Sequence, residues 1–211
     1  EMQAMLRLVL IVALFFRTEI CVAEPVTELR RAFEAIEAQD WIDAFKIAKS
    51  SGPLAEDIVL WHYLRQGEGS FQQTARFLHQ HPDCPGLKLL RKQSEAAFAR
   101  ANPADVAAFF ETTPPQTGTG ALIYAKALTN LGRSQSAQKT LVTAWRTLRL
   151  SAEEEMTFMA RHRTLLKPHH NARLDWALWQ GWRGNAKSML AYVSKDAQNL
   201  GKARLGLMTN A

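Results

Sequence analysis

Apolar residues recur along this chain at helical rather than strand intervals. Val26, Leu29, Phe33 and Ile36 fall at i, i+3, i+7 and i+10. Ala121, Tyr124, Ala125 and Leu128 fall at i, i+3, i+4 and i+7. Leu174, Ala177, Leu178 and Gly181 repeat that pattern, as do Ala186, Met189, Leu190 and Val193. Each set occupies one face of a helix with 3.6 residues per turn. No stretch alternates apolar and polar positions with β-branched residues, so strands are not expected. The punctuation agrees. Asn102-Pro103 places an N-cap before a proline at the first helical position, where a missing N–H costs nothing. Ser70-x-x-Gln73 and Ser151-x-x-Glu154 read as capping boxes. Gly52-Pro53, Gly67, Gly132 and Gly184 sit where helices are expected to stop or turn. Thr112–Gly120, with Pro114-Pro115 and two glycines, reads as a loop.

The spacing between helices adds more than any single helix. Ala44, Ala75, Ala107 and Ala137 each place a small residue early in an amphipathic stretch, just after a turn, at separations of 31, 32 and 30. Ala186 follows after 49 residues, the extra length being filled by Ser151–Leu166, which reads as an inserted helix. A helix–turn–helix period of about 31–34 residues is the signature of a TPR-like solenoid. Tyr124–Arg133 is the stretch most like such a repeat. The small residues let paired helices approach closely. The expected fold is all-α: a superhelical, TPR-like array of antiparallel helix pairs, roughly ten helices forming a ring or horseshoe segment. The alternative is a compact helical bundle in which the spacing is accidental.

Composition bounds the class. With 47% hydrophobic and 22% charged residues the 211-residue chain is globular, which excludes a disordered tail or a collagen-like fibre. The net charge of +6 is unevenly spread: residues 24–111 carry 10 Lys/Arg against 13 Asp/Glu, and residues 112–211 carry 14 against 5. A basic half can face an anionic polymer, a membrane surface or nucleic acid.

The first residues read as a processing signal. Arg7 precedes the apolar run Leu8–Phe16, which at nine residues is shorter than the roughly 20 a spanning helix needs but fits a secretory signal. Cys21-Val22-Ala23 offers small residues before a cut after Ala23. Residues 1–23 are therefore expected to be a cleavable signal peptide, and the protein periplasmic. A retained anchor or a lipoprotein at Cys21 is the alternative, although Thr18-Glu19-Ile20 is a poor lipobox. Cleavage leaves Cys84 alone, so an internal disulfide is not expected and stability must come from the core.

Candidate chemistry is sparse. His79-x-His81-x-x-Cys84 offers zinc-ligand types, but His81-Pro82 ends a helix and no fourth ligand is apparent. His169-His170 is expected to be solvated or capping at a turn. Glu153-Glu154-Glu155 offers carboxylates of the kind glycosidic cleavage uses, but these follow the cap Ser151, where the helix dipole already favours negative charge. Of the tryptophans, Trp61, Trp145 and Trp179 fit buried helix faces, and Trp182 beside Arg183 is the best exposed candidate for stacking on a ring, although packing is expected even there. No Gly-rich phosphate loop or nucleophile elbow is present. No catalytic, cofactor-binding or metal-binding residue is expected.

Four blocks nevertheless occur together in a specific order. Asp57–Phe71 reads Asp-Ile-Val-Leu-Trp-His-Tyr-Leu-Arg-Gln-Gly-Glu-Gly-Ser-Phe, and Phe77–Leu87 reads Phe-Leu-His-Gln-His-Pro-Asp-Cys-Pro-Gly-Leu. Pro114–Leu122 and Lys167–Asp175 follow as Pro-Pro-Gln-Thr-Gly-Thr-Gly-Ala-Leu and Lys-Pro-His-His-Asn-Ala-Arg-Leu-Asp. Together they resemble the N-terminal helical region of soluble lytic murein transglycosylases of the large periplasmic type, in their alphaproteobacterial form, over nearly all of residues 24–211. The family usually has tryptophan where this chain has Cys84. The resemblance implies a U-shaped α-superhelix that holds peptidoglycan glycan strands, with other cell-wall proteins as further partners. It also implies a separate lysozyme-like domain, a lyase whose glutamate cleaves the MurNAc–GlcNAc bond and leaves 1,6-anhydro-MurNAc during murein turnover. No glutamate here matches that motif. The expectation is a chain truncated before the catalytic domain, inactive alone, with no nucleic-acid partner and no stable membrane span after signal cleavage. A periplasmic TPR-like adaptor for other proteins is the alternative.

Overall fold

A computed structural model describes residues 24–208. The expected signal peptide, residues 1–23, lies outside the described residues. Those described form helices and turns with no strand among them, so the chain is all-α. No helix among them is long and apolar enough to cross a membrane. Chain packing separates two units, the first ending at His62 and the second beginning at Tyr63.

The first unit is built on a hairpin of α1 (Glu24–Glu37) and α2 (Trp41–Ser51). Asp40 caps α2 by accepting from the Asp43 N–H at 3.0 Å, and Gln39 takes the left-handed conformation that reverses the chain. The contact face is rich in alanine: Ala32, Ala35, Ala44 and Ala48 are buried with Ile36 and Ile47. Small side chains let the two helix axes come close. Phe33, expected on this face, is instead 38% exposed and meets His62 edge-on at 5.9 Å. The close approach leaves no room for a phenyl ring, so the stripe rotates by one residue onto Ala32. Gly52 then closes α2 at φ 98°, and Pro53 opens α3 (Pro53–Arg65).

The second unit continues with α4 (Phe71–Gln80), α5 (Leu87–Ser94), a 3₁₀ turn (Glu95–Arg100), α6 (Pro103–Thr112), α7 (Gly118–Asn130) and α8 (Ser134–Thr147). It ends with α9 (Ala152–Leu166), a 3₁₀ turn (Lys167–His169), α10 (His170–Trp179), α11 (Arg183–Met189) and α12 (Lys195–Leu207). Both expected capping boxes form, at Ser70/Gln73 and Ser151/Glu154, and Asn102 caps α6 ahead of Pro103. The expected inserted helix is α9. Helix α7 packs on both α6 and α8, and α10 packs on α8, α11 and α12. One core cluster is aromatic: Phe71 meets Phe98 at 4.9 Å, and Phe98 meets Phe109 at 5.1 Å. The other runs through Leu128, Leu141, Trp145, Phe158, Leu174 and Met189.

Two glycine expectations are corrected. The loop is shorter than Thr112–Gly120, because α6 includes Thr112 and α7 already begins at Gly118. A side chain on Gly118 would meet a Leu150 methyl at 2.7 Å and the Glu154 carboxyl carbon at 2.9 Å, and one on Gly120 would meet the Glu95 carboxyl carbon at 2.7 Å. These glycines mark close approach, not a turn. Gly184 likewise lies inside α11, and Gly181, at φ 71°, makes the turn instead.

Candidate functional site

Three carboxylates in the second unit are held by helix starts and turns. Glu95 is buried on the 3₁₀ turn. It accepts from the backbone N–H of Gln116 at 2.7 Å, from that of Thr117 at 2.9 Å, and from the Thr117 hydroxyl. Burial pushes its carboxyl above the ordinary range, and these three donors oppose the rise. Glu154 accepts from the Thr119 N–H at 2.8 Å, the Thr119 hydroxyl at 3.1 Å and the Ser151 N–H at 2.9 Å. Glu95 thus fastens the segment between α6 and α7, and Glu154 the first turn of α7 that follows it.

The third acid, Glu155, faces Arg173, which is only 1% exposed. Arg173 Nη2 donates to Glu155 Oε1 at 2.5 Å. Its Nη1 donates to the carbonyls of Trp145 and of Leu148, the latter at 3.3 Å, and its guanidinium lies 4.3 Å from the Trp145 ring centre. Asn185 and Ser188 also donate to Glu155, at 2.8 and 2.7 Å. Desolvation lowers the affinity of Arg173 for its proton, and the neighbouring Glu155 counters this. The cluster ties α8, α9, α10 and α11 together. Each of the three acids accepts three or more hydrogen bonds, which suits holding backbone rather than shuttling protons.

Two clefts flank Arg149 in the turn between α8 and α9. The larger, of about 750 Å³, is lined by Lys92, Gln116, Thr117, Thr119, Arg149, Glu153 and Glu154 among others. The smaller, of about 300 Å³, is lined by Arg149, Leu150, Glu155, Trp182, Asn185 and Ser188 among others. Arg149 and Leu150 belong to both. The walls offer amides, hydroxyls, one indole and two cations, Lys92 and Arg149, beside three carboxylates, of which Glu154 and Glu155 are already taken up by internal hydrogen bonds. This mixture suits a hydroxyl-rich ligand with carboxylates.

The residues singled out from sequence scatter. His79 is exposed, and the His81 ring lies tilted against Phe77 with centres 4.6 Å apart. Cys84 is a half-buried free thiol. No group of three or more His, Cys, Asp or Glu among the described residues is placed to hold a metal ion. His170 departs from the solvated, capping role expected of it. It is buried, with Trp145 and Tyr192 each 5.7 Å away, because it starts α10 on the side facing α8. Its Nδ1 has no hydrogen-bond partner. Glu153 lines the larger cleft, while Glu154 and Glu155 are structural in a way the helix dipole alone did not foretell. Trp145 is buried as expected, and Trp61 is half-buried. Trp179 is not buried: it stands 77% exposed, one turn beyond Trp176 on the outer side of α10. Trp182 packs against the core, as expected, with one edge on the smaller cleft.

Glu95 and Arg173 were missed. For Glu95 a signal existed in Gly118-x-Gly120, two residues without side chains that announce a close neighbour. For Arg173 there was none, since its partner Glu155 lies 18 residues away.

No known protein family, curated protein or solved structure matches this chain.

Proposed function

We propose that this chain is the superhelical, strand-holding region of a periplasmic lytic transglycosylase of the large soluble type, exported by a cleavable signal peptide. In such an enzyme a lysozyme-like domain cuts the MurNAc–GlcNAc bond, and the helical region binds the murein strand without cutting it. The single observation that carries the reading is the pair of clefts sharing Arg149. Lys92 and Arg149 would meet the carboxylates of peptide stems, while the oxygens of Gln116, Thr119 and Ser188, whose donors already serve Lys88, Glu154 and Glu155, would accept from sugar hydroxyls. The four sequence blocks, the helical hairpins and the excess of cations in residues 112–211 support it further.

The test is co-sedimentation of the purified chain with sacculi at low salt. Retention is expected, with loss in a Lys92→Gln/Arg149→Gln variant and no release of anhydromuropeptides. Failure to sediment, or release of such products by the chain alone, overturns the reading. A second reading, a periplasmic adaptor that docks other proteins, is favoured by the exposure of Trp179. Sedimentation that survives Lys92→Gln/Arg149→Gln but not Trp179→Ala would select it.

A further inference from the structure

Helix α9 breaks at His162, whose φ of −132° and ψ of 22° leave the helical region. In an unbroken helix successive side chains point about 100° apart, so residues i and i+2 face nearly opposite sides. Here the break wraps residues 160–165 around one cleft of about 510 Å³, so that Arg161, His162 and Arg163 all line it. Thr129, Ser134 and Thr164 add three hydroxyls, and no carboxylate is among the lining residues. Neither Arg161 nor Arg163 has an ion-pair partner among the described residues. The one nearby cation that does, Arg133, is held by Glu111 at 2.6 Å outside the lining. The opposite wall is the start of α8, whose first turn carries no acidic residue and whose N-cap residue, Arg133, makes no side-chain capping bond to the helix. The N–H groups there are left for another acceptor.

We propose that this broken turn is a binding site for an oxyanion of the phosphate class. Two guanidinium groups supply charge and paired donors, the hydroxyls of Ser134 and Thr164 supply further donors while that of Thr129 already donates to the Ala125 carbonyl at 2.9 Å, and the imidazole of His162 supplies an N–H. The site does not depend on the murein reading, since it shares no residue with the clefts around Arg149.

The test titrates inorganic phosphate into the full chain in chloride buffer, by calorimetry and by amide chemical shifts. A parallel arm measures binding to phosphatidylcholine vesicles with and without phosphatidylglycerol. Saturable phosphate binding is expected, with shifts at Ser134 and at residues 161–165. Arg161→Gln/Arg163→Gln should weaken it by at least about tenfold, since both charge-assisted donors are lost. Lys126→Gln/Lys202→Gln, of equal charge change, should leave it intact. Thr164→Glu, which adds a carboxylate at the rim on an exposed helical position, should abolish it. Vesicle binding that is lost in the same variants and displaced by phosphate identifies a lipid headgroup as the source. Phosphate binding without vesicle binding identifies a soluble one. No saturable binding in either arm, or equal loss in both double variants, overturns the proposal.

Discussion

Replacing Glu155 with glutamine should cost this protein a large part of its stability. The carboxylate is 13% exposed and its partner guanidinium 2% exposed, so solvent cannot take over when the charge is removed. Glutamine keeps the size and one acceptor oxygen, which limits the change to the loss of charge. Breaking a buried pair from one side costs about 3–5 kcal/mol, and the retained oxygen places this variant near the lower end. With a urea slope of about 2 kcal/mol/M, a loss of about 3 kcal/mol moves the midpoint down by about 1.5 M. Circular dichroism gives the midpoint. Hydrogen exchange over residues 141–150 and 170–178 checks that the damage is where α8 meets α10. Glu153→Gln, on the exposed side of the same helical turn, should change stability by no more than about 0.5 kcal/mol. The reasoning fails if the two variants behave alike. It also fails if Glu155→Gln is as damaging in an Arg173→Met background as in the parent, because then no coupling exists between the two.

Other consequences follow from the same packing. Burial and the charges of Arg173, His169, Arg163 and Lys167 hold the folded-state pKa of His170 below its ordinary 6.5. The unfolded chain therefore takes up a proton first, so stability is full above pH 6.5 and is lost as pH falls below it. Glu95, shifted upward, works in the opposite sense: its contribution is lost as pH rises from 4.5 through its folded value. His170→Phe should flatten the decline between pH 6.5 and 5 in thermal unfolding, and parallel curves for parent and variant would refute this. Gly120→Ala should destabilise by about 1–3 kcal/mol because the Glu95 carboxylate is pinned where the methyl must go. Gly184→Ala, with open space around it inside α11, should stabilise by about 0.5–1 kcal/mol. Trp145→Ala should cost about 3–5 kcal/mol, whereas Trp179→Ala should cost no more than about 0.5 kcal/mol, both measured by urea unfolding.

The helices were legible because their signals are local. The caps Ser70, Asn102 and Ser151 bind N–H groups two or three residues away, and the stripes of α7 and α10 repeat within two turns. What was illegible depends on distant chain. Phe33 and Trp179 satisfy helical spacing, yet which side of a helix faces inward is decided by the neighbour it meets. By composition Gly118 and Gly120 look like loop residues, while their reason is a carboxylate 25 residues upstream of Gly120 and another 36 downstream of Gly118. The carboxylate-held turn beneath the larger cleft was hidden for the same reason. The break at His162 left no mark in the sequence, which contains neither proline nor glycine there.

The clamping of residues 116–119 by Glu95 and Glu154 bears on how such a chain can change over time. Arrays whose units touch only their immediate neighbours can gain or lose a copy by recombination. Here a connector and the helix start after it are gripped by acids from both flanks, so a duplicated or deleted hairpin at this point would strand charged groups without donors. The stretch from Glu95 to Glu154 should therefore tolerate replacement only as a block. Insertions should be accepted at Gly132, which lies open between α7 and α8, and rejected between Thr113 and Thr117.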